Sequence, residues 1–265
     1  MRGGSGRLYT GAMTNTATNQ ESHYGNISAI QVDATSGSYP FRYPAVANTR
    51  EHVLSILEGK DYPILPIRGY EVETVVDVGA NVGAFTTYMA VHFNAAKYFC
   101  FEPSLGAVTF LRENIAQFPN AQVFPFGLYS EDTSMLLYEG ASQSLQNSLY
   151  SSAETSASGN SVELRHAGRM FDELELNQIS ILKVDTEGSE LPVLNSLSER
   201  FESIDQIYLE YHSEIDRREI DGLLGSTHAL AAASAKHIHR GTNHYISMKL
   251  LREHPELDIL RVDRS

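Results

Sequence analysis

The sequence predicts a doubly wound α/β fold with a mostly parallel sheet and an antiparallel closing strand. Short apolar runs typical of buried strands alternate with helix-forming segments from residue 74 onward. The first run ends in Asp77 and is followed by a glycine-rich turn and the helix-forming segment 84–92. Acidic and histidine residues follow several of these runs, at the carboxyl ends where such sheets bind ligands.

Length and charge limit the classes of protein. The chain has 265 residues, which suits one large α/β domain, and its formal net charge is -13. An acidic surface repels phosphate backbones, so we expect no nucleic-acid partner. Because no run of about 18 apolar residues occurs and a signal-peptide pattern is missing, we expect a cytoplasmic protein with no membrane partner. Cys100, the single cysteine, is predicted to be a small buried apolar residue.

The N-terminal part is expected to differ from the rest of the chain. Residues 1–47 are predicted to form a flexible segment, because the stretch 1–38 is polar and lacks periodicity. Its opening, MRGGSG, is typical of a tag remnant. Residues 39–44 should be extended, since they contain two prolines among aromatic residues. Residues 48–265 are predicted to form a single domain that opens with a short helix ending at Leu57.

The core elements follow from the hydrophobic periodicity. Strands are predicted at 74–80, 97–102, 121–126, 135–138 (an antiparallel excursion), 179–184, 204–211, and, as closing strands, within 244–250 and 257–262. Helices are predicted at 83–93, 104–118, 169–176 (a short turn), 189–199 and 216–235. The serine-rich stretch 140–161 is too long for an ordinary connection, so it is either a lid or a disordered loop.

The turn after the first core strand is predicted to bind a nucleotide-like ligand. Gly79 and Gly83 let the backbone approach a ligand, and Asn81 tolerates a positive φ. Asp77 would repel a pyrophosphate but attract an ammonium group. Glu102 ends the next strand, near the spacing of about 20 residues at which an acid reaches ribose hydroxyls. Together the two acids predict an S-adenosylmethionine site, although a helix cap and a surface acid remain the alternative interpretations.

A second group of polar residues follows the strands 179–184 and 204–211. We predict His212 as a general base, because the intrinsic pKa of histidine suits neutral pH. Asp185 and Glu187 would position an acceptor hydroxyl or bind the amino acid end of the cofactor. The alternatives are a hydrogen bond within a loop for the histidine and helix capping for the acids. Lys183 lies within a buried strand, so we expect it to pair with a carboxylate.

A metal site is an alternative use of the same residues. We rank it below acid–base chemistry and predict no metal, because the spacing fixes no coordination geometry. The first possible ligand group is Asp185, Glu187, Glu210 and His212. The second group, which we interpret as surface histidines, is His237, His239 and His244.

Several motifs together resemble a known family, the FkbM-type S-adenosylmethionine-dependent methyltransferases. They are DVGANVG at 77–83, FEPS at 101–104, Asn114, GLYSED at 127–132 and LKVDTEGSELPVL at 182–194. The resemblance covers residues 70–212 and implies a class I methyltransferase, Rossmann-like fold with S-adenosyl-L-methionine as cofactor. It implies that Asp77, Gly79, Asn81, Gly83 and Glu102 contact the cofactor. We extend this prediction to Ala80, Ser104 and Gly127.

The resemblance also implies a reaction. The family commonly methylates hydroxyl groups of sugars or natural products, so we expect an O-methyltransferase of natural-product biosynthesis with a small-molecule acceptor. An oxidoreductase that binds NAD is one alternative, weakened because Asn81 replaces the second glycine of G-x-G-x-x-G. A non-catalytic module that binds S-adenosylmethionine is the other. The sequence predicts no oligomeric state.

Overall fold

The computed structural model describes residues 26–34, 37–46, 48–140 and 155–258. The strands are β1 (Ile27–Ala34), β2 (Gly37–Pro44), β3 (Thr74–Val78), β4 (Lys97–Phe101), β5 (Ala121–Phe124), β6 (Gly127–Tyr129), β7 (Thr133–Gly140), β8 (Thr155–His166), β9 (Ile179–Val184), β10 (Ile204–Tyr211), β11 (His228–His237) and β12 (Arg240–Ser247). The α-helices are α1 (Thr49–Leu57), α2 (Ala84–His92), α3 (Leu105–Ile115), α4 (Ala167–Glu173), α5 (Glu190–Ser196), α6 (Glu214–Leu224) and α7 (Met248–Glu253).

A seven-stranded sheet forms the centre of the described structure, in the order β11-β12-β10-β9-β3-β4-β5. The neighbours from β10 to β5 pair in parallel, whereas β12 is antiparallel to both β10 and β11. This arrangement confirms the predicted doubly wound, mostly parallel sheet with an antiparallel strand near its end. The strand order reverses between β3 and β9, and the carboxyl ends of these two strands border the crevice where such sheets bind ligands.

The core lies on both faces of this sheet, which is why the parallel strands are almost wholly apolar. Neighbouring residues in β3 point to opposite faces, as a strand requires, so Val75 and Val76 belong to different apolar clusters. On one face Val76 packs with Leu182 of β9. On the other face Val75 packs with Phe85 of α2 and Tyr98 of β4. The strand ends are thereby fixed in position.

The N-terminal region differs from the sequence prediction. Strands β1 and β2 form an antiparallel hairpin over residues 27–44, and its Phe41 and Tyr43 side chains are buried. Asn114 of α3 fastens this hairpin, because its side-chain amide donates to the carbonyl oxygens of Arg42 and Val82, each at 2.8 Å. Its side-chain oxygen also accepts from the Arg42 amide at 2.7 Å. The hairpin is therefore tied to the glycine-rich turn, while residues 1–25 lie outside the described part.

Two predictions near the C-terminus are wrong in part. The segment predicted as one helix over 216–235 is helix α6, which ends at Leu224, followed by strand β11. The closing strand predicted at 244–250 is β12, which ends at Ser247 and gives way to α7. Where a strand was predicted over 257–262, Pro255–Asp258 forms a 3-10 turn, and residues beyond 258 lie outside the described part.

The serine-rich segment is also only partly described. Strand β8 is central in a small three-stranded sheet, between β6 and β7. It pairs antiparallel with β7, as an antiparallel excursion at 135–138 requires. Residues 155–161 of the predicted loop belong to β8. Residues 141–154 lie outside the described residues, so the choice between lid and disordered loop remains a prediction. None of the helices in the described ranges is long and apolar enough to cross a membrane.

Candidate active site

The glycine-rich turn between β3 and α2 is held tightly against two neighbouring strands. The amides of Gly79 and Ala80 both donate to the carbonyl oxygen of Phe101 at 3.0 Å. Gly79 has a φ of 77°, and a Cβ there would overlap the Asp185 carbonyl oxygen after β9. Asn81 has a φ of 50°, as the sequence predicted for a residue that tolerates positive φ. The backbone therefore needs glycine at position 79 for both reasons.

Glu102 projects beside this turn from the end of β4. One carboxylate oxygen accepts from the Asn81 amide and the other accepts from the Ser104 amide, each at 2.8 Å. Burial raises the pKa of Glu102 to about 7, although these two hydrogen bonds act to lower it. A carboxylate has about four acceptor positions, so two remain for a ligand hydroxyl. Ser104 itself caps α3.

The glycine of the GLYSED motif has a packing role. Gly127 lies in β6 opposite Leu164 of β8. The space that a side chain would need is occupied by Leu164 and by Pro103, which follows Glu102. Gly127 is thus placed next to the turn that fixes Glu102, and its own contact with a cofactor stays a prediction.

Asp77 is neutralised inside the protein. Its side chain is 1% exposed, and the Thr86 hydroxyl donates to it at 2.7 Å. The Lys183 ammonium lies 3.2 Å from its other oxygen and donates to the Gly79 carbonyl oxygen at 2.5 Å. The predicted pairing of Lys183 with a carboxylate is confirmed. The charge of Asp77 is thus paired with Lys183 inside the protein, and its attraction for a ligand ammonium stays a prediction.

Asp185 follows β9 and lies at the crevice, close to Gly79. It accepts a hydrogen bond from the Tyr62 hydroxyl at 3.1 Å, and Lys183 lies 3.7 Å away. Burial acts to raise the pKa of Asp185, but the charges of Lys183, His212 and their neighbours outweigh it and lower the pKa to about 2. The side chain is therefore ionised at neutral pH, when it accepts hydrogen bonds well and protons poorly.

His212 does not have the state that a general base requires. Its Nε2 atom lies 3.0 Å from a Glu187 oxygen and its Nδ1 atom 3.2 Å from a Glu190 oxygen. Burial alone would lower the pKa of His212, but the hydrogen bonds to these two acids outweigh it and raise the pKa to about 11. At neutral pH the ring is thus a cation with no free lone pair. This state contradicts the predicted role of His212 as a base.

Glu190 is the partner that the sequence analysis missed. It is 1% exposed, and one of its oxygens accepts from the amides of Thr186 and Gly188 at 2.9 and 3.0 Å. These bonds close the loop between β9 and α5, in which Glu187 has a φ of 55°. An acid in the first turn of the predicted helix was a visible signal, because helix N-termini favour negative charge.

Arg240 of β12 completes the group from the antiparallel side of the sheet. Its guanidinium donates to Glu187 at 2.9 Å and to Glu210 at 2.7 Å. Lys236 of β11 lies 3.5 Å from the same Glu210 oxygen. The acids at the strand ends are thereby matched by cations from the last two strands, so Glu187 is positioned as part of an ion-pair network.

A metal ion at this site would compete with ion pairs that the possible ligands already form. Ligand-type atoms of Asp185, Glu190 and His212 lie within 4.8 Å of one another, the one such group found among the described residues. A metal ion would have to displace the ion pair between His212 and Glu190. Of the second proposed group, His237 and His239 are exposed.

His244, the third member of that group, is buried, which corrects its interpretation as a surface residue. Its ring stacks on Tyr208 with ring centroids 4.0 Å apart, and burial lowers its pKa to about 4. Its Nε2 atom is hydrogen bonded to Gln206 at 3.0 Å.

Helix α1 covers the glycine-rich turn, a contact that the sequence gave no sign of. His52, Val53 and Ile56 of this helix line a small cavity. The rest of its lining comes from Gly79–Val82, Ala84 and Phe85 of the turn and α2, and from Lys183 and Asp185. An imidazole from the N-terminal region is therefore part of the candidate site.

The fold and this crevice define a class I methyltransferase. The family model for the methyltransferase FkbM domain matches residues 77–241, and the chain belongs to that family. The resemblance drawn from the sequence motifs is thus confirmed. A crystal structure of methyltransferase FkbM from Methylobacillus flagellatus KT superposes with a TM-score of 0.51 at 14% identity, covering 70% of this chain and 46% of that chain. At that identity the likeness shows the fold.

Two curated relatives are similar in sequence. The hexuronic acid methyltransferase AglP of Haloferax volcanii is 25% identical over 155 residues, which are 58% of this chain and 62% of that protein. Methyltransferase 1 of Beauveria bassiana is 28% identical over 158 residues, 51% of this chain and 63% of that protein. The chain therefore spans less than two thirds of the length of either relative.

Proposed function

We propose that this protein is an O-methyltransferase that uses S-adenosyl-L-methionine to methylate a hydroxyl group of a sugar or natural product. Family membership supports methyl transfer. The observation that carries the cofactor assignment is Glu102, whose carboxylate is held beside the glycine-rich turn by the Asn81 and Ser104 amides. This is where the ribose of a nucleoside cofactor meets an acid in sheets of this kind.

The residues of the crevice fit such a cofactor. The turn at Gly79 brings backbone to the crevice without a side chain, and the two free acceptor positions of Glu102 suit the two ribose hydroxyls. Asp185 lines the same cavity, and its ionised carboxylate suits the ammonium of the cofactor's amino acid end. When bound, the cofactor supplies an electrophilic methyl group on a sulfonium.

The residues that border the cavity indicate what chemistry the methyl acceptor has, but not which molecule it is. Asp185 is ionised and borders the cavity, so it is suited to accept a hydrogen bond from an acceptor hydroxyl and to orient it. The relative from Haloferax volcanii is named as a hexuronic acid methyltransferase. A carbohydrate acceptor is therefore the first class to test, by transfer of labelled methyl groups to hexuronic acid glycosides and to neutral sugars.

Calorimetry tests the cofactor assignment. We expect the wild type to bind S-adenosyl-L-methionine and its demethylated product, and not NAD. Replacement Glu102→Ala should weaken cofactor binding by about 2–4 kcal/mol, because hydrogen bonds to a charged acceptor are lost. The matched control is Glu219→Ala, which removes an exposed acid of α6. Equal affinities of wild type and Glu102→Ala would remove Glu102 from the site, and binding of NAD alone would refute the proposal.

A further inference from the structure

The site needs a base that its histidine at the strand end does not provide. Transfer of a methyl group to a hydroxyl is helped by a group that accepts the hydroxyl proton and that has a free lone pair near neutral pH. Both ring nitrogens of His212 face carboxylates at 3.0 and 3.2 Å. Glu187 is bound by Arg240. Neither is free to receive a proton from a ligand.

His52 is placed differently. It lies in α1 and lines the same cavity as Gly79 and Asp185. Within the described part of the chain, its ring makes no hydrogen bond, whereas its backbone amide is bound in the usual helical way to Asn48 at 3.1 Å. Its ring nitrogens are thus available to a ligand in the cavity.

The packing of α1 fixes the direction of this side chain. Val53 is 0% exposed and Ile56 is 7% exposed, and both line the same cavity as His52. Residues four apart lie on the same helix face, so burying Ile56 against the turn also aims His52 at it. Tyr62, which follows α1, donates to Asp185 at 3.1 Å and ties this region to the crevice.

We propose that His52 is the general base that removes the proton from the acceptor hydroxyl. The inference rests on the proposed function. In the step, the acceptor O–H bond breaks as an imidazole nitrogen of His52 takes the proton. The oxygen forms a bond to the methyl carbon, while the carbon–sulfur bond breaks and its electron pair remains on sulfur. The imidazolium then gives its proton to solvent.

Asp185 supports this role from across the cavity. A carboxylate opposite the ring stabilises the imidazolium that forms during the step. Asp185 and His52 line the same cavity. Asp185 would thus both orient the acceptor hydroxyl and stabilise the charge that develops on His52.

The test compares His52→Ala and His52→Gln with wild type, using S-adenosyl-L-methionine and a hexuronic acid glycoside or whichever sugar the wild type methylates. We expect kcat to fall by about 10²–10⁴-fold in both variants, the usual contribution of a positioned base. The affinity for the cofactor, measured by calorimetry, should stay within about twofold of wild type. Added imidazole should restore part of the turnover of His52→Ala, which has room for it, and less of that of His52→Gln.

The matched control is His92→Ala, which removes an exposed histidine from the far end of α2 and should leave kcat unchanged. Wild-type turnover in His52→Ala would overturn the inference. So would a loss of cofactor affinity with kcat intact at saturation, which would make His52 a binding residue. A wild type that binds the cofactor but methylates no hydroxyl would instead refute the proposed function, and the role of His52 would fall with it.

Discussion

His212 shows how a residue can be correctly placed and wrongly interpreted. The sequence put it at the end of a core strand, and the structure places it there, following β10. Its chemistry is set by two acids that face its ring, and one of them, Glu190, comes from helix α5. A histidine between two carboxylates is a structural cation. Replacing it should therefore lower the stability of the fold more than it lowers the rate of catalysis.

We expect the contribution of His212 to stability to decline as the pH rises. Its pKa is raised in the folded state from 6.5 to about 11, so the folded protein keeps a proton that the unfolded chain loses. The stabilisation is therefore fully present below about pH 6.5 and disappears as the pH approaches 11. At pH 6, His212→Asn should lower the free energy of unfolding by about 3 kcal/mol, because the buried Glu190 and the half-buried Glu187 lose their partner.

Urea denaturation of wild type and His212→Asn at pH 6 and pH 9 measures this difference. It should be smaller at pH 9 by more than about 1 kcal/mol, since each unit of pKa shift corresponds to about 1.4 kcal/mol. The replacement His92→Ala, which removes an exposed histidine, serves as the control. A difference for His212→Asn that is constant or grows with pH would contradict a histidinium at this position.

At the scale of elements, Gly79 in the turn between β3 and α2 can be compared with Gly69 in the connection before β3. Gly79 and Gly69 both have a φ of 77°, but a Cβ at Gly69 would meet nothing within 4 Å. Replacing each with alanine separates backbone strain from steric overlap with β9. We expect Gly69→Ala to lower the free energy of unfolding by about 1 kcal/mol, the cost of a left-handed alanine.

Gly79→Ala should cost several times more, because its Cβ would overlap the Asp185 carbonyl oxygen and push β3 from β9. It should also abolish cofactor binding in calorimetry, whereas Gly69→Ala should bind as the wild type does. Thermal and urea denaturation of the two variants provide the comparison. Equal losses of stability would mean that strain alone, and not the close approach of the strands, requires glycine at position 79.

The parallel core was predictable because its signals are local and strong. Apolar runs such as those of β3 and β9 are buried on both faces, and the sheet topology then dictates that their carboxyl ends meet. The helix predicted over 216–235 was wrong for the opposite reason. Its alanine-rich end favours a helix by intrinsic propensity, but strand pairing with β12 overrides that preference. Because β11 is exposed along most of its length, no burial pattern marks it as a strand.

The candidate site could also be predicted only in part. Residues at strand ends, such as Glu102 and Asp185, were found because topology alone brings them together. Their partners were missed because they come from distant parts of the chain. Arg240 reaches Glu187 across 53 residues, and His52 belongs to a helix before the sheet begins. Sequence spacing carries no information about such contacts, which depend on how helices and antiparallel strands pack.

The charge of the whole molecule is distributed unevenly between the site and the remaining surface. Three acids near the crevice, Asp185, Glu187 and Glu210, are matched by nearby cations, as the ion pairs of Lys183, His212, Lys236 and Arg240 show. The chain has 33 acidic and 20 basic residues, a net charge of -13. A net charge of this size repels an approaching polyanion.

We therefore expect the protein not to bind nucleic acid. Affinity for RNA and DNA comes mainly from cations that displace counterions from the phosphates, and even non-specific binders reach dissociation constants of about 10⁻⁴–10⁻⁶ M. Fluorescence anisotropy with a labelled single-stranded RNA and a labelled DNA duplex at low salt should show no saturable binding up to about 100 μM protein. A basic peptide titrated under the same conditions should bind and be released by salt. Saturable binding by this protein that weakens linearly with the logarithm of salt concentration would reveal a basic surface and reopen a nucleic-acid acceptor.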